Sequence, residues 1–109
     1  MNSQSFGLSA STLAKLQSVF LQHPHVKSVV VYGSRAKGNY RPGSDIDLTL
    51  HVAQGEQIDH REIAAILDEI DELLLPYTVD LSVFDQLQSH ELREHIERVG
   101  KVLFQRTET

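Results

Sequence analysis

The stretch VKSVVVYGSRAKGNYRPGSDIDLTLHV, residues 26–52, decides how this chain folds. Its first seven residues are mostly β-branched and predict a strand at 26–32. In its last seven residues apolar and polar side chains alternate, a period of two that predicts a second strand at 46–52. The segment between them is rich in Gly, Pro, Asn and basic residues, and we expect a short helical turn in it from Ser34 to about Gly38.

On both sides of this stretch, apolar residues recur at the spacing of amphipathic helices. Pro24 ends the first of these patterns, which Ser9 or Ser11 can cap, and Asp59 with Glu62 forms a capping box for the second. We expect helices at about 11–23, 59–74 and 89–100, and further strands at 78–84 and 102–104. This order predicts an α/β domain with a small mixed sheet of three to four strands and helices packed on it.

Length and charge limit what the chain can do. With 109 residues, we expect a single domain over residues 1–109 with its core at about 11–105. A net charge of −5 argues against general nucleic-acid binding, and the absence of Cys excludes disulfides and thiolate zinc sites. The first eleven residues lack the pattern of a signal peptide, and the apolar runs are too short to span a membrane, so the expected location is the cytoplasm.

Three aspartates lie where they can bind a metal. Asp45 and Asp47 are two residues apart at the start of the second strand, so their side chains project from one face. Asp80 lies early in the third strand and joins that face if the two strands are neighbours. Carboxylates crowded together repel one another, and a divalent cation, which prefers oxygen ligands, removes that repulsion. Any one of these aspartates alone would be interpreted as solvated or as a loop cap, whereas the three together indicate a metal site.

Gly33 and Ser34 join the first strand to the short helical turn. The first backbone N–H groups of a helix have no partner within it, and the helix dipole there favours an anion. Gly33 lets a phosphate approach the backbone closely, and Ser34 adds a hydroxyl donor. Alone, Gly-Ser is more often a turn with a helix cap. Ten residues separate it from Asp45, however, so a phosphate seat and the carboxylates lie side by side if the two strands are adjacent.

The pattern of Gly33-Ser34, a ten-residue spacer, Asp45-Ile46-Asp47 and a later Asp80 resembles the signature of the nucleotidyltransferase superfamily that includes DNA polymerase β. The likeness covers most of the chain and is greatest to minimal, stand-alone prokaryotic nucleotidyltransferases. It implies that Gly33 and Ser34 hold the triphosphate of ATP or another NTP. It also implies that Asp45 and Asp47 bind two Mg²⁺ ions, and that Asp80 completes the catalytic metal site and helps to deprotonate an acceptor hydroxyl. That hydroxyl attacks the α-phosphorus, a nucleoside monophosphate is transferred and pyrophosphate leaves.

Other polar residues have more than one interpretation. Arg35 and Lys37 follow Ser34 and could neutralise the charge of a bound nucleotide, although a solvated basic face is at least as consistent with them. Six histidines occur, none at a clear metal-binding spacing, and His90 and His95 lie five residues apart, off a shared helix face. We therefore interpret the histidines as structural or exposed.

The resemblance also implies a partner. Stand-alone members of this kind are commonly found beside a small all-helical protein of the higher eukaryotes and prokaryotes nucleotide-binding (HEPN) type, often an RNase toxin, which the nucleotidyltransferase neutralises. In some pairs it does so by transferring AMP to a tyrosine of the toxin. By analogy we expect an adenylyltransferase antitoxin in a homo- or hetero-oligomer. The alternative is a nucleotide-binding subunit without turnover that neutralises its partner by masking it. An antibiotic-modifying transferase is a more distant alternative, since those enzymes need an additional domain for the drug.

Overall fold

The computed structural model describes residues 5–107, and these form four helices and four strands. In chain order the elements are α1 (Ala10–Leu21), β1 (Val26–Tyr32), α2 (Ser34–Lys37), β2 (Ile46–Val52), α3 (His60–Asp71), β3 (Val79–Val83), a 3-10 turn (Phe84–Gln86), α4 (His90–Val99) and β4 (Lys101–Gln105). Residues 1–4 and 108–109, the ends of the expected domain, lie outside the described residues. The order of elements is the predicted one, and β1 and β2 have the predicted bounds. None of the described helices has the length and apolar character that crossing a bilayer requires.

The four strands form one mixed sheet in the order β3–β2–β1–β4. β1 lies antiparallel to both β2 and β4, whereas β2 and β3 run parallel. The parallel register sets Asp47 beside Asp80 and Leu48 beside Leu81. The predicted α/β class is therefore confirmed, and the two strands that carry the aspartates are neighbours.

The main core covers one face of this sheet. Ile46, Leu48 and Leu50 of β2 are fully buried there, in one cluster with Leu16 and Phe20 of α1. Burying side chains of this size contributes about 1.5–3 kcal/mol each. A slip of one residue would turn all three leucine and isoleucine side chains to the other face, so this cluster fixes the register of β2. The same register turns Asp47 to the opposite face.

The opposite face of the sheet carries a smaller cluster, formed by Tyr32 of β1, Phe84 of the 3-10 turn and Ile96 of α4. The alternation in β2 predicted a polar face here, yet Thr49 is fully buried. Its hydroxyl accepts a hydrogen bond from that of Ser82 at 2.9 Å, which offsets the cost of burying it. Toward the start of β2 the burial is less complete, and Asp47 is only half-buried.

The predicted extent of α3 is wrong. The apolar spacing predicted a helix as far as Leu74, but α3 ends at Asp71. Leu74 has a φ of 57° and is 87% exposed, so the chain reverses direction there. Pro76 disfavours helical backbone only at Leu75, so it keeps the helix from resuming after Leu74 but does not set its end at Asp71. Leu73 still packs against the core without being helical, which explains why its spacing resembled a helix.

Each predicted capping residue caps its helix, but Glu62 does not complete the capping box with Asp59, because its carboxylate contacts His23 and His25 instead. Ser9, Asp59 and Ser89 each accept a hydrogen bond from the backbone N–H three residues further on. Gly100 ends α4 as expected, but with a φ of −64° it needs no left-handed conformation. A Cβ at Gly100 would instead collide with the carbonyl oxygen of Ile96, so close approach to the helix end is what requires glycine there.

Candidate active site

The turn from β1 into α2 is one that only glycine readily makes. Gly33 caps α2 with φ 75° and ψ −152°, a conformation that residues with side chains rarely adopt. A Cβ at Gly33 would also lie 2.5 Å from Oδ2 of Asp47. The start of α2 and a carboxylate of β2 therefore lie in direct contact, which is the geometry expected of a phosphate seat beside a metal site.

Tyr32, Asp47 and Asp80 form a row across three strands. Tyr32 pairs with Asp47 in the antiparallel register, and Asp47 pairs with Asp80 in the parallel one. Side chains paired in this way project from the same face of a sheet. Asp45 immediately precedes β2 and is exposed, as is Asp80. The fold thus brings Gly33, Asp47 and Asp80 together and leaves Asp45 at their solvent margin.

Asp47 is the carboxyl group whose ionisation this arrangement alters. Burial raises the pKa of Asp47 above its usual range, and the charges of Asp80 and Asp45 raise it further, while His95 opposes them. Burial likewise raises the pKa of the Tyr32 hydroxyl. Desolvation and repulsion therefore both destabilise the ionised form of Asp47, and a cation between the carboxylates would offset both.

The residues of the row fit a divalent cation in their chemistry. Mg²⁺ takes oxygen ligands, and the row offers carboxylates from two adjacent strands, with Asp45 close enough to affect the ionisation of Asp47. Within residues 5–107, no three His, Cys, Asp or Glu side chains are already arranged to hold a metal ion. The exposed side chains of Asp45 and Asp80 are the ones that would turn to complete such a site.

The two basic residues of α2 have different environments. Lys37 is exposed, whereas Arg35 is only 3% exposed and donates to the carbonyl oxygens of Phe6 and Ser44. The interpretation of both as a solvated basic face is therefore wrong for Arg35. Its guanidinium, expected at the nucleotide, is engaged with the backbone instead. Lys37 is the basic side chain of α2 that remains accessible to a phosphate.

Tyr32 and His95 also lie at the site, although the sequence pattern did not single them out. Tyr32 is the β1 member of the row, and the ring of His95 meets that of Tyr32 edge-on, with centroids 6.3 Å apart. The charge of this α4 residue also opposes the rise in the pKa of Asp47. A signal was available, because His95 lies three residues after Leu92 and four before Val99, which both pack against the sheet.

Comparison with known families gives a match over most of the chain. The model of the family described as polymerase beta, nucleotidyltransferase, matches residues 14–109. Those residues include every position of the Gly-Ser and aspartate pattern. No curated protein matches the chain.

Several solved structures share the fold. A toxin–antitoxin complex with AMP-PNP is 21% identical, with a TM-score of 0.68, over 91% of this chain and 75% of that one. A complex described as toxin–antitoxin MntA–HepT is 17% identical, with a TM-score of 0.66, over 90% and 74%. A complex of the tri-AMPylated HEPN toxin of Shewanella oneidensis with MNT antitoxin is 18% identical, with a TM-score of 0.64, over 88% and 71%. At these identities the likeness establishes the fold.

Proposed function

The chain belongs to the polymerase beta nucleotidyltransferase family, and from this premise we propose that it transfers a nucleoside monophosphate, AMP from ATP in the first instance, to a hydroxyl group of another molecule. One observation carries the proposal. The turn at Gly33 is in contact with Asp47, and Asp47 lies beside Asp80, so a seat for phosphate adjoins a row of carboxylates.

The triphosphate would rest on the start of α2. Backbone N–H groups there are free of intrahelical partners, and the Ser34 hydroxyl adds a donor. Lys37, exposed on the same helix, would add a positive charge near the β- and γ-phosphates. Gly33 keeps this surface open, because any side chain in its place would occupy the space between α2 and Asp47.

The carboxylates would hold two Mg²⁺ ions, with Asp45 and Asp47 shared between them and Asp80 completing one site. Two such ions would neutralise the charge that develops on the attacking and leaving oxygens of an in-line displacement. Asp80, which is exposed, would then accept the proton of the acceptor hydroxyl. The new bond joins the acceptor oxygen to the α-phosphorus, the bond from the α-phosphorus to the bridging oxygen breaks, and pyrophosphate leaves with that oxygen.

The acceptor we propose is a hydroxyl on a small all-helical partner of the HEPN type, which the chain would neutralise as an antitoxin. Asp45 and Asp80 are exposed, so a group on a separate molecule can reach the row. A fold shared with the complex that contains the tri-AMPylated Shewanella oneidensis toxin supports this assignment. AMP is the natural first candidate for the transferred group for the same reason.

The decisive experiment follows the transferred label. The purified chain is incubated with Mg²⁺, α-³²P-labelled ATP, GTP, CTP or UTP, and a lysate of its own host. An Asp45→Ala/Asp47→Ala variant tests the site, and an Asp68→Ala/Asp71→Ala variant is the matched control. The control removes the same charge from two exposed positions at the end of α3.

Transfer predicts a labelled protein band with α-labelled but not γ-labelled nucleotide. The band should disappear in the site variant and persist in the control. A partner that is bound and neutralised without any label, by the chain and by the site variant alike, would establish a masking subunit in place of the transferase.

A further inference from the structure

Arg35 has an unusual environment for a charged residue next to a phosphate seat. Its guanidinium is buried, with Nη1 donating to the carbonyl oxygen of Phe6 at 2.8 Å. Nε and Nη2 both donate to the carbonyl oxygen of Ser44, at 3.1 and 3.0 Å. Burying a charge is costly unless hydrogen bonds compensate it, so these contacts fix the side chain in one orientation.

Two tyrosine rings complete the surroundings of the guanidinium. Its central carbon lies 4.9 Å from the ring centroid of Tyr40 and 4.8 Å from that of Tyr77, distances typical of cation–π contacts. Tyr77 lies just before β3, where the carbonyl oxygen of Thr78 accepts a hydrogen bond from the N–H of Ile46 at 2.9 Å. Arg35 thus touches the approach to β3 as well as the approach to β2.

The segment leading into β2 is itself closed into a turn. The backbone N–H of Ser44 donates to the carbonyl oxygen of Arg41 at 2.9 Å, and the N–H of Arg41 donates to the Ser44 hydroxyl at 2.8 Å. Ser44 immediately precedes Asp45, so a side chain that holds the Ser44 carbonyl also holds the start of the carboxylate row. No other residue of α2 has a side-chain hydrogen bond to this turn among the described contacts.

We propose that Arg35 is a positioning residue, which sets the separation between the phosphate seat at Gly33–Ser34 and the carboxylates of Asp45 and Asp47. This inference rests on the proposed function for its chemical meaning. Arg35 is carried by the seat itself, in α2, and its guanidinium binds the residue before Asp45. It therefore acts through the backbone of Ser44 and does not contact the nucleotide.

The chain offers a matched control at the other end of β1. Arg106 also donates to backbone carbonyl oxygens, those of Val26 at 3.0 Å and His23 at 2.9 Å, and it lies over the ring of Phe104. Arg106 makes the same kinds of contact as Arg35. Its contacts lie at the start of β1, whereas Arg35 belongs to α2, which follows the end of β1. Arg35→Met and Arg106→Met therefore remove comparable interactions, near the site and away from it.

The test measures local order and ligand binding in the full chain. Hydrogen exchange would follow the amides of Ser44 and Ile46, which are bonded near the site, and that of Val26, which donates to the His23 carbonyl far from it. Calorimetry would give the affinity for Mn²⁺ with α,β-methylene-ATP. Arg35→Lys serves as a second variant if Arg35→Met does not fold, because lysine keeps the charge but lacks the planar fork that reaches both carbonyls.

We expect the Arg35 variants to accelerate exchange at Ser44 and Ile46 and to weaken ligand affinity about 10- to 100-fold, the range seen when outer-shell partners of a metal site are removed. Arg106→Met should accelerate exchange at Val26 and leave affinity unchanged. The inference would be overturned if the amides of Ser44 and Ile46 exchanged as fast in Arg106→Met as in Arg35→Met. It would also be overturned if folded Arg35 variants kept the affinity of the wild type for the ligand. If the wild-type chain binds no Mn²⁺-nucleotide, the proposed function fails, and the exchange pattern alone decides whether Arg35 holds the turn.

Discussion

Asp47 lies between Tyr32 and Asp80 in a row that crosses three strands, with its Oδ2 against the backbone of Gly33. Burial and two neighbouring carboxylates act against its ionised form. A residue chosen only for stability would be uncharged at this position, so a carboxylate that is retained at a cost in stability is evidence for a function. Substitutions at Asp47 and at Gly33, which lies against it, test this directly.

We expect Asp47→Asn to abolish transfer without destabilising the fold. Loss of a ligand carboxylate should lower the transfer rate by about a hundredfold or more, as removal of one preorganised electrostatic group does. An acid whose native pKa is raised loses stability as pH rises through that value, so the wild-type chain is at a disadvantage at pH 7 that asparagine removes. Without metal, the variant should unfold at an equal or higher temperature at pH 7, and its advantage should shrink toward pH 4. A clear loss of thermal stability at pH 7 would contradict this account.

Gly33→Ala should be costly in both stability and activity. The backbone conformation alone costs about 1–3 kcal/mol for a residue with a Cβ, and the new methyl group would meet Oδ2 of Asp47. Gly55→Ala is the control, because Gly55 has a φ of +83° and open space around it. Urea unfolding and the transfer assay should show a moderate loss of stability alone for Gly55→Ala, and a larger loss with loss of transfer for Gly33→Ala. Equal behaviour of the two variants would mean that the contact with Asp47 has no role.

At the scale of elements, the bounds of helices and strands were predicted best where a single periodic pattern indicated them. β1 and β2 have the bounds that their patterns indicated, and the caps of three helices were readable from single residues. The end of α3 was not, because Leu73 keeps a helical spacing while packing from a turn. The orientation of Arg35 was not predictable either, since its carbonyl partners come from segments whose placement only the tertiary fold determines.

Glutamates of α3 and of the segment before it pair with histidines of the loop between α1 and β1. His25, just before β1, has Nδ1 3.0 Å from Oε1 of Glu62 and Nε2 3.3 Å from Oε1 of Glu56. His23 has Nε2 2.9 Å from Oε1 of Glu69, further along α3. The interpretation of these histidines as structural is consistent with this arrangement, and the pKa of His25 is raised, chiefly by its hydrogen bond to Glu62.

Glu62→Gln should lower the pKa of His25 toward its ordinary value of 6.5, because the hydrogen bond that the His25 ring donates to the Glu62 carboxylate is the main reason for its rise. A raised histidine pKa contributes stability that is complete below pH 6.5 and is lost as pH rises through the native value. The variant should therefore be less stable than wild type at pH 6 and approach it at pH 9. NMR titration of the His25 ring and urea unfolding at both pH values check this. Glu94→Gln, which removes an exposed pair with His90, is the control and should leave the His25 titration unchanged.

For the whole molecule, charge is the feature that links the site to its ligand. The chain carries a net charge of −5, and the row adds carboxylates at the place where a triphosphate is expected. A triphosphate is itself strongly negative, so it cannot bind beside three carboxylates unless cations bind with it. The spacing of Asp45 and Asp47 predicted that both lie on one face, and in the structure Asp47 lies beside Asp80 while Asp45 precedes β2 and is exposed. The sequence did not predict how far each carboxylate is buried, which depends on how α4 and the 3-10 turn cover the sheet.

Nucleotide and metal should therefore stabilise the fold only together. At about 100 times the Kd, Mg²⁺ with α,β-methylene-ATP should add about 2.7 kcal/mol, a rise in Tm on the order of 10 °C for a domain of this size. The nucleotide with EDTA should have no effect, since the carboxylates then repel it, and Mg²⁺ alone should have a small one. Scanning calorimetry of wild type, Asp45→Ala/Asp47→Ala and Asp68→Ala/Asp71→Ala measures all three conditions, and only the first variant should lose the joint effect. An equal rise in Tm with nucleotide and EDTA would show that the turn at Gly33 binds phosphate without metal, and the aspartates would then need another explanation.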